Sequence, residues 1–176
     1  AVRCGGQGGC TGQFRPDVIP SRLSSLTLYL QALTVSARRD VDDPEVQRGE
    51  KLFERARCSL CHVPELTTGD KTAITSAAAQ TIRPYTDLLL HDMGDALADH
   101  RPDFLADGRE WRTPPLWGLG LYKQVNGKGD LLHDGRARSI AEAILWHGGE
   151  AEASRELFRA LSKAERSALV RFVQSL

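Results

Sequence analysis

Apolar residues recur along this chain at helical spacing in four places, and almost nowhere with the alternation of a strand. Leu23, Leu26, Leu30 and Leu33 fall three and four apart, which predicts a helix from Ser21 to about Ala37 with one apolar stripe and Ser21 as its cap. Arg38 to Asp43 reads as a charged linker. Asp43 followed by Pro44 is a cap and first-turn pair, and the helix it opens carries Val46, Gly49, Leu52 and Phe53 on one side. Ile140, Ala143, Ile144 and His147 stand at i, i+3, i+4 and i+7, so a helix near Ser139 turns all four toward a core. Ser162 with Glu165 three positions on is a capping box, and Leu169, Val170, Phe172, Val173 and Leu176 form the inward face of the last helix. Strand signals are limited to Leu88-Leu89-Leu90 and the Gly-rich stretch from Val125 to Leu132, which suggest a minor hairpin. Between His62 and Ser139 the chain is loop-rich, and ordered loops of that length usually serve a function. The pattern predicts an all-α domain with long loops.

Composition narrows this picture. At 176 residues the chain suits one domain, read here as residues 21–176 after an irregular arm over 1–20. Lys plus Arg and Asp plus Glu are both 23, so no global field favours nucleic acid or an anionic membrane. Aromatics make up 6%, sparse enough that something other than side chains is expected to fill part of the core. No run of about eighteen apolar residues exists to span a bilayer. The start at Ala1-Val2-Arg3 carries no secretory h-region, as expected of a mature product or a fragment.

Candidate chemistry is concentrated in Cys58-Ser59-Leu60-Cys61-His62. C-x-x-C-H is the attachment signature of a c-type haem: each thiol forms a thioether to one vinyl group, and His62 meets one face of the iron. A thioredoxin-like dithiol needs a strand–turn–helix context that is missing before Cys58. Structural zinc needs two more ligands at fitting spacing, and neither H-x(3–5)-H nor a second C-x-x-C is present downstream. One covalent haem c is therefore expected. Because such haem is attached outside the cytoplasm, the expected location is the bacterial periplasm or another extracytoplasmic space. Cys4 and Cys10 flank a Gly-rich stretch with no histidine after Cys10, and in an oxidising compartment a local disulfide is the expected reading. In small c-type cytochromes a helix leading into the haem motif crosses a C-terminal helix, and Gly49 is the candidate for that close approach.

Several uncommon blocks appear in order. They are Gly49 to Phe53, Cys58 to Pro64, Pro84 to Gly94 (PYTDLLLHDMG), Glu110 to Gly118 (EWRTPPLWG), Leu132 to Ala137 (LHDGRA) and Ala143 to Ala151 (AILWHGGEA). Together they resemble the C-terminal cytochrome domain of the bacterial di-haem oxidoreductases, also called thiol oxidoreductases or peroxidase-like proteins. That family is similar to the di-haem cytochrome c peroxidases. The resemblance implies a cytochrome c-like helical fold with haem-wrapping loops and a second haem domain on the N-terminal side. This sequence departs from it in having a single C-x-x-C-H.

For the iron face opposite His62 the candidates are Met93, His91, His100, His133 and His147. Met93, the sole methionine, would give His/Met coordination and a raised potential. His147 ends an apolar helix face, and Gly148-Gly149 would let the chain turn away without crowding a porphyrin. By resemblance, the helix after the His-Asp-Gly motif supplies the distal ligand in the related peroxidases, with methionine at the equivalent place. His147 is thus the expected ligand and Met93 the alternative. His100 looks solvated. Haem propionates call for Arg forks or indole and imidazole donors, and Trp111, Arg112, His133 and Arg136 are the candidates. Trp117 and Trp146 read as packing aromatics. Bis-His ligation would favour one-electron relay, toward a partner protein or a second haem domain. The alternative is a peroxidase-like enzyme acting on peroxide or another small oxidisable substrate at an opened iron.

Overall fold

The computed structural model describes residues 18–33 and 35–176, so the expected Cys4–Cys10 bridge and nearly all of the arm lie outside the described residues. The chain divides into two units, residues 1–34 with 68–80, and residues 35–67 with 81–176. In the first, helix α1 runs Pro20–Ala32. Its cap position is Ile19, with Pro20 in the first turn and no side-chain cap, so Ser21 does not serve as one. The helix is five residues shorter at its C-terminal end than its leucine spacing suggests, and none of its side chains is buried. Leu33 is already extended, and β-branched Val35 is a weak helix former. In the same unit, the Thr68 hydroxyl accepts from the Gln80 amide at 2.8 Å and donates to the Ala77 carbonyl at 2.6 Å, pinning a short loop.

The second unit is built on two crossing helices. Helix α2 spans Pro44–Arg55, capped by the Asp43 carboxylate accepting from the Glu45 amide at 2.8 Å. Val46, Gly49, Leu52 and Phe53 are its buried face, as the spacing requires. The C-terminal helix, Lys163–Ser175, carries the full Ser162/Glu165 capping box and buries Ala168, Leu169, Phe172 and Val173. The two pack so closely at Gly49 that a Cβ there would overlap the Ala168 carbonyl. The segment between α1 and α2 is not a free linker. Arg38 forks onto Glu50 at 2.7 and 2.8 Å, the Arg39 amide donates to Ser175 O at 2.8 Å, and Arg171 pairs with Asp40 at 2.7 Å.

Three shorter helices complete this unit. They are α3, Leu119–Asn126; α4, Ile140–Trp146; and α5, Glu152–Ala160, which makes the C-terminal helix α6. The sequence pattern anticipates α4 but neither α3 nor α5. Ser139 caps α4, and Ile140, Ala141 and Ile144 pack on the core. Arg155 pairs with Glu152 and Arg159 with Glu156 along α5, while Phe158 is buried.

Strand structure is slightly richer than expected. Two small antiparallel ribbons form, β1 (Leu66–Thr67) with β2 (Thr81–Ile82), and β3 (Leu90–Asp92) with β4 (Glu110–Arg112). Leu90 does join a hairpin-like pair, but its partner is Arg112 rather than the 125–132 stretch, whose first residues lie in α3. The fold is mostly α with minor β. Among the described residues no helix is long and apolar enough to cross a membrane.

Candidate haem site

Helix α2 ends at Arg55, and Arg57 adopts a left-handed conformation that turns the chain into one 3₁₀ turn over Cys58–Leu60. The His62 amide then donates to Cys58 O at 2.9 Å, so both cysteines and His62 sit on one compact loop. Cys58 and Cys61 are not bridged to each other. Burial pushes the Cys58 thiol up to about 12, and burial with the nearby Asp87 and Glu150 carboxylates raises Cys61 as well. Both stay protonated thiols near neutral pH, which disfavours thiolate redox or zinc chemistry. Cys61, Asp87 and His91 do lie close enough to share an ion, but both His91 nitrogens are engaged by carboxylates.

His62 sits on an aromatic cluster. Its ring centroid is 6.3 Å from that of Phe53, which in turn packs on Tyr85 and Phe172. Its Nδ1 lies 3.0 Å from the Tyr85 carbonyl. A carbonyl only accepts, so Nδ1 carries the proton and Nε2 is left as a bare lone pair. Tyr85 holds that carbonyl in place from a left-handed conformation, with its side chain in the core. Burial pulls His62 down to about 4 against the pull of the Tyr85 carbonyl, and repulsion from His147 adds to the effect.

His147 repeats the arrangement. It caps the C-terminal end of α4, and its Nδ1 lies 2.8 Å from the Ala143 carbonyl. The same logic gives Nε2 as the free lone pair, and burial lowers its proton affinity. Two neutral imidazoles thus each offer an Nε2. Imidazoles oriented by Nδ1–H···O=C bonds are a fitting donor set for the two axial positions of a haem iron.

The other candidates have neighbours of their own. Met93 is half-buried in the loop after β3, where its carbonyl would be 2.9 Å from a Cβ on Gly148. Gly148 and Gly149 therefore make room for the backbone of residues 92–94, the neighbour the sequence does not reveal. His100 is exposed, as expected. Trp111 stacks on His133 with centroids 3.6 Å apart, and its indole N–H is committed to the Leu97 carbonyl at 3.1 Å. Arg136 is engaged by Asp134 at 2.6 Å and lies over the Trp146 ring. Arg112 is exposed and reaches the Thr113 carbonyl.

One cluster escapes sequence reasoning. His91 lies between Asp87 Oδ2 and Glu150 Oε2, 2.9 Å from each, with the Cys61 sulfur 3.9 Å away. The i, i+4 spacing of Asp87 and His91 is visible in the sequence, but Glu150 is 59 residues distant.

Residues 14–176 match the family model described as "Di-haem oxidoreductase, putative peroxidase". The chain belongs to that family. The description of that family is one of haem-based redox proteins. Among curated proteins none matches. Among solved structures the chain is similar to hydrazine synthase of Kuenenia stuttgartiensis, pressurised with 20 bar xenon, at TM-score 0.54 and 22% identity. That alignment covers 90% of this chain and 56% of the other, so the chain spans little more than half its structural neighbour. At such identity the likeness concerns fold.

Proposed function

We propose that this chain is a c-type cytochrome unit holding one covalent haem through Cys58 and Cys61, with His62 and His147 as axial ligands, and that it relays single electrons within a di-haem oxidoreductase. The observation that carries this reading is the pair of half-buried imidazoles, each with Nδ1 bonded to a backbone carbonyl. When bound, the haem supplies the ferric/ferrous one-electron couple. The protein's part is to tether, orient and exclude. Cys58 and Cys61, kept as thiols, fix the group to the turn after α2. The Tyr85 carbonyl fixes the His62 ring and increases its basicity, and Ala143 O does the same for His147. Two imidazole donors, from His62 and His147, would hold the haem without leaving small oxidants an open position, which favours relay over peroxide chemistry. Arg112 and His133 retain the polar character suited to propionates. The electron's other station is a second haem domain or a redox partner protein. Covalent haem attachment assigns the protein to the periplasm or another extracytoplasmic space.

The test is an intact mass and ferric spectrum of protein matured in a host competent for c-type haem attachment. One haem per chain and a six-coordinate low-spin spectrum insensitive to peroxide are expected, with His147→Ala becoming partly high-spin. A bare-chain mass overturns the attachment. A far-red methionine–iron band moves the second ligand to Met93, and rapid peroxide reaction by the wild type favours an enzyme over a relay.

A further inference from the structure

His147 caps a helix of only seven residues and is itself in extended conformation, so the helix alone does not fix its imidazole. A dense set of contacts lies just beyond it. The Glu150 carboxylate accepts from the Asp92 amide at 3.0 Å through Oε1 and faces His91 Nδ1 at 2.9 Å through Oε2. On its other side His91 meets Asp87 at 2.9 Å, and Asp87 is itself fixed by the Leu89 amide at 3.0 Å. Both carboxylates only accept, so a ring engaged by each donates from both nitrogens and is an imidazolium. Between these polar contacts, Gly148 and Gly149 let the two backbones meet. A Cβ on Gly149 would stand 2.8 Å from the Gly94 amide nitrogen. The end of α4 is thereby fastened to the loop over residues 91–94, which lies beside the Cys61 sulfur.

We propose that Glu150 is a positioning residue for His147, and that its clasp on His91 and the Asp92 amide sets how readily a small exogenous ligand displaces that imidazole. This rests on His147 being the second axial ligand. The Glu150 carboxylate bonds His91 and the Asp92 amide, not the His147 ring. It acts by restraining the two glycines, Gly148 and Gly149, that join it to His147, so loosening it gives the ligand room to leave without disturbing the core under Ile140 and Ile144. The clasp would thus govern whether the unit stays a closed relay or admits a ligand.

The readout is cyanide association with the haem-loaded ferric protein, measured alongside the resting spin state. Loss of both carboxylate hydrogen bonds, to His91 and to the Asp92 amide, should speed cyanide binding ~10-fold or more in Glu150→Ala, with a new high-spin fraction. Glu150→Gln keeps an acceptor for the Asp92 amide and loses the ionic partner of His91, so it should fall between wild type and Glu150→Ala. It also serves if the alanine variant fails to load haem. Ser162→Ala, far along the chain in the α6 cap, should lower stability without moving the cyanide rate. Wild-type cyanide rates in both Glu150 variants, even with a lowered melting temperature, overturn the clasp while leaving the ligand assignment intact. A wild-type protein that is not bis-imidazole low-spin overturns the ligand assignment itself, and the clasp with it.

Discussion

Gly49 of α2 and Ala168 of α6 meet backbone to backbone, and a Cβ added to Gly49 would overlap the Ala168 carbonyl and stand 2.7 Å from the Phe172 Cβ. In an exposed helix interior, glycine to alanine gains roughly 1 kcal/mol of helix propensity. Here the helices must part, and overpacking of this kind costs about 1–3 kcal/mol, so the sign reverses. Gly49→Ala should lower the denaturation midpoint of the haem-loaded protein. An unchanged or raised midpoint would mean the crossing is looser than it stands.

How far the sequence carries can be judged from single residues. Val46, Gly49, Leu52 and Phe53 declare α2 because a one-sided apolar face repeats every turn, and the Asp43-Pro44 and Ser162/Glu165 signals fix two helix starts. The Leu23–Leu33 stripe shows the same periodicity but buries nothing, since spacing reports a shared face and not what covers it. His62 and His147 are legible as candidates from motif and helix phase. Their orientation is not, because it depends on backbone carbonyls, in the case of His62 that of Tyr85, 23 residues away. Glu150 reads as a surface acid until the fold brings it to His91. Contacts that span many residues and involve backbone atoms leave no local trace.

Thr86, fully buried beside the carbonyl that orients His62, donates to Thr113 O at 2.7 Å and accepts from the Leu88 amide at 2.9 Å. Its neighbours Tyr85 and Leu88 both have positive φ, so this hydroxyl holds a strained loop. Thr86→Val keeps the shape, strands the Leu88 amide and leaves Thr113 O only its long contact with Arg112 at 3.4 Å, a loss of about 1–3 kcal/mol. Relaxation of Tyr85 would weaken the bond to His62 Nδ1, make the imidazole a poorer donor and raise the haem reduction potential. Redox titration beside a denaturant melt checks both. A stability loss with no rise in potential would separate Thr86 from the ligand.

The clasp gives stability a pH dependence with a definite sign. The bond to Glu150, with help from Asp87, raises His91 above its ordinary 6.5 against the pull of burial. A raised imidazole contributes fully below its unfolded value and loses that contribution as pH climbs through the folded one. Glu150 is held below 4.5 chiefly by His91, so its share is present above that value and lost as pH falls through its folded one. Asp87 behaves likewise below 3.8: burial pushes it up, but the Leu89 amide and His91 outweigh that. The groups facing His91 are Asp87, Glu150 and Cys61. The melting temperature should therefore decline as pH rises above neutrality, and His91→Gln should flatten that decline. Parallel profiles for the two proteins would assign the alkaline loss to other groups.

Arg38 joins the segment before α2 to the seat of His62. Its guanidinium forks onto Glu50 and lies 4.9 Å from the centre of the Phe172 ring, which packs on Phe53 and Tyr85. The Glu50 bond raises its already high proton affinity, against the pull of burial, so it is a permanent cation there. Lysine offers a point charge in place of a planar fork and cannot keep both bonds while lying flat over the ring. Arg38→Lys should cost about 1 kcal/mol, and Arg38→Ala, which also leaves Glu50 without its partner, about 1.5–3 kcal/mol, toward the lower end because Glu50 keeps some solvent. A double-mutant cycle with Glu50→Ala isolates the pair, and a coupling of roughly 1 kcal/mol is expected. Near-zero coupling would leave the stacking on Phe172 as what Arg38 provides, in which case Arg38→Lys and Arg38→Ala should be equally damaging.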